Sequence, residues 1–105
     1  MINISKITLI TLENVQKRTS MYVAKADFDS VSNFFVGYFV ALQNITGIPY
    51  NHDISIWINR KKRTSLCWEA YIFHVLAKGD ASKAYSLIFS ELKAFFEDIV
   101  SSESI

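Results

Sequence analysis

The stretch from Phe28 to Gly47 constrains the fold of this chain more than any other segment. Apolar side chains recur along it at helical spacing, and further apolar residues fill most of the remaining circumference. Because a helix that is apolar almost all round must be covered on several sides, the sequence predicts a buried central helix. Asp29 or Ser30 is placed to cap its first turn, and Gly47 to end it. Gly37, inside the helix, predicts the close approach of another backbone.

Composition supports one helical domain. The chain has 105 residues, half of them hydrophobic, with eight Phe, five Tyr and two Trp. A chain of this size buries roughly 65% of its unfolded surface, which is enough for one core. Three Gly and one Pro are too few for a sandwich with many tight turns, or for a disordered chain. We therefore predict an all-α fold, a single small bundle of about five helices.

Charge and cysteine content restrict the kinds of partner that this chain can attract and the cellular compartment that it fits. The formal net charge is +1, so any electrostatic attraction must come from a local patch. Cys67 is the only cysteine, which excludes an internal disulfide and fits a reducing compartment. The first residues do not resemble a signal peptide, and the apolar run Phe34–Leu42 is too short to span a bilayer. We expect a soluble cytoplasmic protein without membrane contact.

The segments before the central helix are short. Met1–Ile10 is rich in Ile and Thr and favours a short extended arm or edge strand. Thr11 is a suitable cap for a helix over Leu12–Arg18, with Lys17 near its end. Ala24–Asp27 is then expected to link this helix to the central one.

After the central helix, Ile48–Asp53 has the composition of a loop. The next element is ambiguous, because Ile54–Asn59 alternates apolar and polar residues as a strand does. The same residues also fit one face of a helix. We favour a short helix over Ile54–Lys61, since Asp53 can cap it and basic residues follow.

The last third of the chain predicts two helices. The first covers Leu66–Lys78 and ends at Gly79. Asp80 is placed to cap the second, whose apolar residues recur at spacings of three and four as far as Ile99. The remaining residues, Ser101–Ile105, lack periodicity and are expected to fray.

No set of residues has the spacing of a catalytic or metal site. Cys67 and His74 lie about 10 Å apart along the predicted helix, too far for the imidazole to activate the thiol. His52 lacks the further ligands that zinc needs. We therefore expect neither an enzyme nor a bound metal or cofactor.

Two charged regions remain as candidate binding surfaces. Arg60–Arg63 is a run of four basic residues that could hold phosphates or contact an acidic protein. Carboxylates dominate the chain after Gly79, where Glu91 and Asp98 share a helix face and Glu97 lies beside them. This acidic region could contact a basic protein partner.

Several motifs follow one another along the chain in a recognisable order. They are Arg18-Thr19-Ser20-Met21-Tyr22, Phe34-Phe35-Val36-Gly37-Tyr38, Trp57-Ile58, Trp68 with Ile72, and the aromatic residues Phe89, Phe95 and Phe96. This order resembles that of small bacterial immunity proteins of contact-dependent growth inhibition and other polymorphic toxin systems. The resemblance extends from about Leu12 to Ile99, and Thr19 stands where the family has Pro.

The resemblance implies a non-enzymatic protein that binds the C-terminal toxin domain of a large effector. Such a toxin is often a nuclease, here with an RNase favoured, and the expected complex is a one-to-one heterodimer. From charge and aromatic character, we expect the contact residues to be Glu91, Glu97, Asp98, Asp27, Asp29 and Tyr50. The alternative is a small helical regulator that binds nucleic acid through Arg60–Arg63.

Overall fold

Residues 3–103, the part of the chain that this computed structural model describes, form an all-α fold. Two short irregular helical pieces supplement the α-helices: a 3₁₀ turn at Thr19–Met21 and a π-helix at Ile72–Leu76. The prediction of a small all-α bundle of about five helices is confirmed. In chain order the α-helices are α1 (Ile4–Lys17), α2 (Phe28–Thr46), α3 (Tyr50–Ile58), α4 (Trp68–Tyr71) and α5 (Ala81–Glu103).

Helix α1 replaces the extended arm predicted for Met1–Ile10, which was wrong from residue 4 onward. Asn3 caps the helix, because its side chain accepts from the amide of Lys6 at 3.1 Å. One side of the helix packs against the rest of the fold although Ile7 and Ile10 are exposed, and that packing outweighs the preference of Ile and Thr for strands. Met1 and Ile2 lie outside the described residues. The buried residues of α1 are Ser5, Thr8, Leu12 and Val15.

Helix α2 is buried along one side rather than all round. Val40 is 48% exposed and Ile45 is 78% exposed, so the helix predicted to be covered on several sides leaves one face open. A Cβ at Gly37 would meet nothing within 4 Å, so no close backbone approach explains that glycine. Asp27, and not Asp29 or Ser30, is the cap. The buried residues of α2 are Phe28, Val31, Ser32, Phe35 and Phe39.

Helix α3 begins earlier than predicted. It starts at Tyr50, directly after Pro49, so only the first residues of the predicted loop Ile48–Asp53 are non-helical. Asp53 therefore lies in the first turn and does not cap the helix. The strand alternative for Ile54–Asn59 was wrong, since Ile54 and Ile58 are buried together as a helix requires.

The second half of the chain forms the two helices predicted there, with different bounds. Helix α4 starts at Trp68, later than the predicted Leu66, and continues directly into the π-helix. Asp80 caps α5 as predicted, accepting from the amide of Lys83 at 3.0 Å. Helix α5 runs to Glu103, so the frayed tail predicted for 101–105 was wrong over 101–103. Ser104 and Ile105 lie outside the described residues.

The core is a chain of aromatic rings around Phe39 of α2. Its ring lies 5.7 Å from Phe96 of α5, 6.1 Å from Trp68 and 6.2 Å from Tyr50, measured between centroids. Rings at such distances add attraction beyond the area they bury. Because Tyr50 begins α3 and Phe96 lies in α5, this cluster holds the two helices side by side.

Candidate functional site

A groove runs between one face of α3 and one face of the C-terminal half of α5. Helix α3 contributes Tyr50, Asp53 and Trp57, which follow one another at helical spacing. The groove comprises two adjoining cavities of about 390 Å³ and 310 Å³. The residues from α5 are Phe95, Asp98, Ile99, Ser102 and Glu103, and the end beside α1 is closed by Asn3, Ile4, Ser5, Thr46 and Ile48.

Trp57 closes the other end of the groove. Its ring packs edge-on against Phe95 with centroids 5.6 Å apart, and its indole N–H donates to a carboxylate oxygen of Asp98 at 3.2 Å. The guanidinium of Arg60 lies over the Trp57 ring, 3.7 Å from its centroid. Trp57 is therefore held by both helices and connects the groove to the basic loop after α3.

Three carboxylates border the apolar floor of the groove. Asp53 is half-buried on α3, whereas Asp98 and Glu103 are exposed on α5. Glu103 accepts a hydrogen bond from the side-chain amide of Asn3 at 3.5 Å. Within residues 3–103 the single ion pair joins Lys17 to Glu13, so no cation pairs with these three carboxylates there. The rim of the groove is thus negative.

Tyr50 lies in the floor of the groove and not in a loop, where the sequence analysis placed it. It is 4% exposed, and its ring packs on Phe39 and Phe96. Burial raises the pKa of its phenol, and the negative charges of Asp53 and Glu103 raise it further. The phenol therefore keeps its proton to a higher pH than an exposed tyrosine does.

The carboxylates predicted on α5 have different environments. Glu97 and Asp98 are exposed, but only Asp98 lines the groove. Glu91 is half-buried, and one of its carboxylate oxygens is buried without a hydrogen-bond partner among the described residues. Glu91 is consequently less available to a partner than the other two.

The carboxylates predicted at the start of α2 lie far from the groove. Asp27 borders a small cavity with Ala81 and Ser82, at the opposite end of α5 from Asp98. At about 1.5 Å per residue, the two ends are about 25 Å apart. The amide of Ser30 donates to Asp27 at 2.8 Å and holds the pKa of that carboxyl below its usual range. Asp29 is exposed nearby, so the predicted residues do not form one patch.

Sequence reasoning missed Asp53, Trp57 and Glu103 as components of the site. Asp53 was taken only as a cap, because α3 was expected to begin after it. Glu103 was assigned to the frayed tail, although it follows Ile99 by one helical turn. Extending the apolar stripe of α5 through its final turn would have placed it beside Ile99.

The loop after α3 is basic, in contrast to the acidic groove. Residues Arg60–Arg63 are all exposed, and none is in an ion pair within residues 3–103. Arg60 and Arg63 border a cavity of about 600 Å³ together with His52. Asn59 organises this loop, because its side-chain amide donates to the carbonyls of Ser55 and Leu66 at 2.7 and 3.0 Å.

No family model, curated protein or solved structure matches this chain. Across residues 3–103, none of the helices has both the length and the apolar character required to cross a membrane. In the same part of the chain, no three His, Cys, Asp or Glu side chains are grouped to hold a metal ion. Cys67 and His74 are both exposed there.

Proposed function

We propose that this chain is an immunity protein. It binds the C-terminal toxin domain of a contact-dependent growth inhibition effector in the cytoplasm, one-to-one, and blocks it without catalysing a reaction. The toxin is a nuclease, with an RNase favoured. The order of motifs from Arg18 to Phe96, which resembles that of immunity proteins, supports this assignment.

The observation that carries the proposal is the acidic surface at the C-terminal end of α5. Glu97, Asp98 and Glu103 are exposed there, and none pairs with a cation within residues 3–103. A nuclease holds phosphates in a basic cleft, so an acidic surface is complementary to it and accelerates capture. An inhibitor must also bind tightly, and nanomolar affinity corresponds to about −12 kcal/mol. Interfaces of that strength usually bury roughly 1,600 Å².

The direct test begins with the gene immediately upstream. Its C-terminal domain is expressed alone and together with this chain, and growth, co-purification and calorimetric affinity are measured. We expect the domain alone to stop growth, this chain to restore it, and the two to bind one-to-one with nanomolar affinity. If the domain is toxic but does not bind this chain, the proposal is wrong.

Charge reversal locates the contact. The paired change Glu97→Lys with Asp98→Lys should weaken toxin binding by about tenfold or more, because it turns attraction into repulsion. The matched variant Asp29→Lys alters an exposed carboxylate at the other end of α5 and should leave affinity unchanged. If Asp29→Lys is the variant that loses affinity, the contact lies at the start of α2 instead. Circular dichroism of each variant confirms that it folds.

A second candidate function is nucleic-acid binding by the loop after α3. It is favoured by the four exposed basic residues Arg60–Arg63 and the cavity that Arg60 and Arg63 border. Anisotropy of labelled RNA and DNA tests it across a series of salt concentrations. Phosphate contacts predict steep weakening with salt, with a slope of about −0.9 per neutralised phosphate on duplex DNA. Binding that disappears in Arg63→Glu would favour this function over toxin neutralisation.

A further inference from the structure

We propose that the groove between α3 and α5 receives a segment of the partner protein that carries aliphatic or aromatic side chains flanked by Lys or Arg. This inference rests on the proposed function only for the identity of that partner. The chemistry of the segment follows from the shape and the charge of the groove itself.

The shape of the groove selects apolar side chains. Its floor consists of the ring of Tyr50, the ring of Phe95 and the side chain of Ile99, and Ile48 at one end is 43% exposed. Each of its two cavities, at about 390 and 310 Å³, is within the range of roughly 300–1,000 Å³ that ligand sites span. Apolar side chains placed there would remove this surface from water and be stabilised in proportion to the area covered.

The charge of the groove selects cations beside those apolar side chains. Asp53 lies on the α3 wall, and Asp98 and Glu103 lie on the α5 wall. Carboxylates on both walls let a bound segment place basic residues on either side of its apolar ones. The same charges repel a phosphate backbone, so this groove favours a protein segment over nucleic acid.

The walls are rigid enough to bind without reorganisation. Both are faces of α-helices, and the aromatic contacts of Tyr50 with Phe96 and of Trp57 with Phe95 hold them at a fixed separation. A preformed groove avoids the ordering cost that a flexible loop incurs on binding. The basic segment of the partner therefore meets a site that is already in place.

Nuclear magnetic resonance with synthetic peptides tests the groove directly. The probe is a peptide of about 10 residues in which Lys or Arg alternates with Leu or Phe, spanning about 30 Å when extended. Its control keeps the apolar residues and replaces every basic one with Glu. We expect the basic peptide to shift the indole N–H signal of Trp57 and the amide signals of Asp53 and Ile99. The acidic peptide should shift none of them.

Variants with equal charge changes assign the binding to the groove. Asp98→Lys with Glu103→Lys should weaken binding of the basic peptide by about tenfold or more. The control Glu13→Lys with Asp29→Lys changes two exposed carboxylates that do not line the groove, and should change the affinity by less than about twofold. If the first pair fails to fold, Asp98→Asn with Glu103→Gln removes the charges with little change of shape. Equal binding of the acidic peptide, or shifts confined to the α2 end, would overturn the proposal.

A second copy of this chain is the other occupant to consider, because Arg60–Arg63 lies beside the apolar side chains of Ile56 and Leu66. Sedimentation analysis separates the two cases. Concentration-dependent association that is lost both in Asp98→Lys with Glu103→Lys and in Arg63→Glu would mean that the groove takes this loop and not a partner. A monomer at all concentrations, combined with peptide binding in the groove, supports the proposal.

The toxin domain distinguishes this inference from the proposed function. If the domain binds the wild-type chain and the Asp98→Lys with Glu103→Lys variant equally, the groove is not its contact, although neutralisation stands. If no toxin domain binds but the basic peptide occupies the groove, the immunity function is wrong and the groove serves another basic protein.

Discussion

The acid-rimmed groove and the basic loop border the same short helix, α3, but are built in different ways. The groove takes its residues from two helices whose regular spacing lines up side chains that are distant in sequence. The loop takes its charge from four consecutive residues, and its shape depends largely on the hydrogen bonds of Asn59. Loss of a single polar contact should therefore leave the shape of the groove unchanged, whereas loss of the Asn59 contacts should disrupt the loop.

The largest effect is expected from Asn59→Ala. This change removes the donors to Ser55 and Leu66 and the acceptor for the amide of Thr64, which lies 3.0 Å away. Leaving those groups unpaired should lower the free energy of unfolding by about 2–3 kcal/mol. For a domain of this size that corresponds to a melting temperature lower by about 10 °C or more, measured by calorimetry.

The matched control is Asn44→Ala, an exposed position on α2, which should change stability by no more than about 0.5 kcal/mol. Hydrogen exchange then locates the effect of Asn59→Ala. Faster exchange confined to the Arg60–Leu66 loop, with α5 unaffected, would show that Asn59 holds the loop and not the groove. Stability equal to that of Asn44→Ala would show that Asn59 does not organise the loop.

A smaller loss is expected from changes at Trp57, the residue that connects the two regions. Trp57→Ala removes the ring contact with Phe95, and since the side chain is only half-buried we expect a loss of about 2 kcal/mol, below that of a core tryptophan. Trp57→Phe keeps a ring but not the bond to Asp98, and should cost less than about 1 kcal/mol. Guanidinium unfolding of both variants measures the difference. Equal losses in the two would mean that the indole N–H, and not ring packing, holds the groove end.

The smallest effect concerns pH and Tyr50. Burial and the neighbouring carboxylates raise the pKa of this phenol in the folded protein, so the folded state keeps its proton at a pH where the unfolded state releases it. The resulting stability is complete below about pH 10, the ordinary pKa of tyrosine, and is lost as pH rises through the raised value.

Urea unfolding between about pH 9 and pH 11 checks this dependence. Tyr50→Phe should flatten the decline in stability over that range, because no phenol remains to ionise in the floor of the groove. Asp53→Asn should make the decline shallower, since it removes one of the charges that disfavour the phenolate. Tyr22→Phe, at a more exposed tyrosine, is the control. A decline unchanged in Tyr50→Phe would contradict the assignment.

Sequence patterns predicted helices correctly where one apolar stripe repeats over several turns, as in α5. They also predicted the cap that begins α5, at Asp80, and the left-handed glycine that ends α2, at Gly47. They failed at the N-terminus. There, the Ile and Thr of residues 4–10 favour strands locally, but the segment gains more by packing as a helix against α5. They also failed at Tyr50, because the composition of Ile48–Asp53 is that of a loop although α3 begins directly after Pro49.

For the candidate site, too, the sequence predicted some features and not others. The charge run Arg60–Arg63 and the acidic character of α5 could be recognised from the sequence, since each is a local property of adjacent or helically spaced residues. That Asp53 and Glu103 border one groove could not, because 49 residues lie between them in the chain and the packing of α3 against α5 decides their separation.

The amino-acid sequence by itself determined an all-α chain with one aromatic core, because helical periodicity and burial of apolar area are written in residue order. Only the tertiary structure decided which carboxylates share a surface. It separated Asp27 and Asp29 from Asp98 by the length of α5, and brought Asp53 beside Glu103. The physical reason is that the relative placement of helices depends on how their side chains interlock across the core, which involves contacts between residues far apart in the chain.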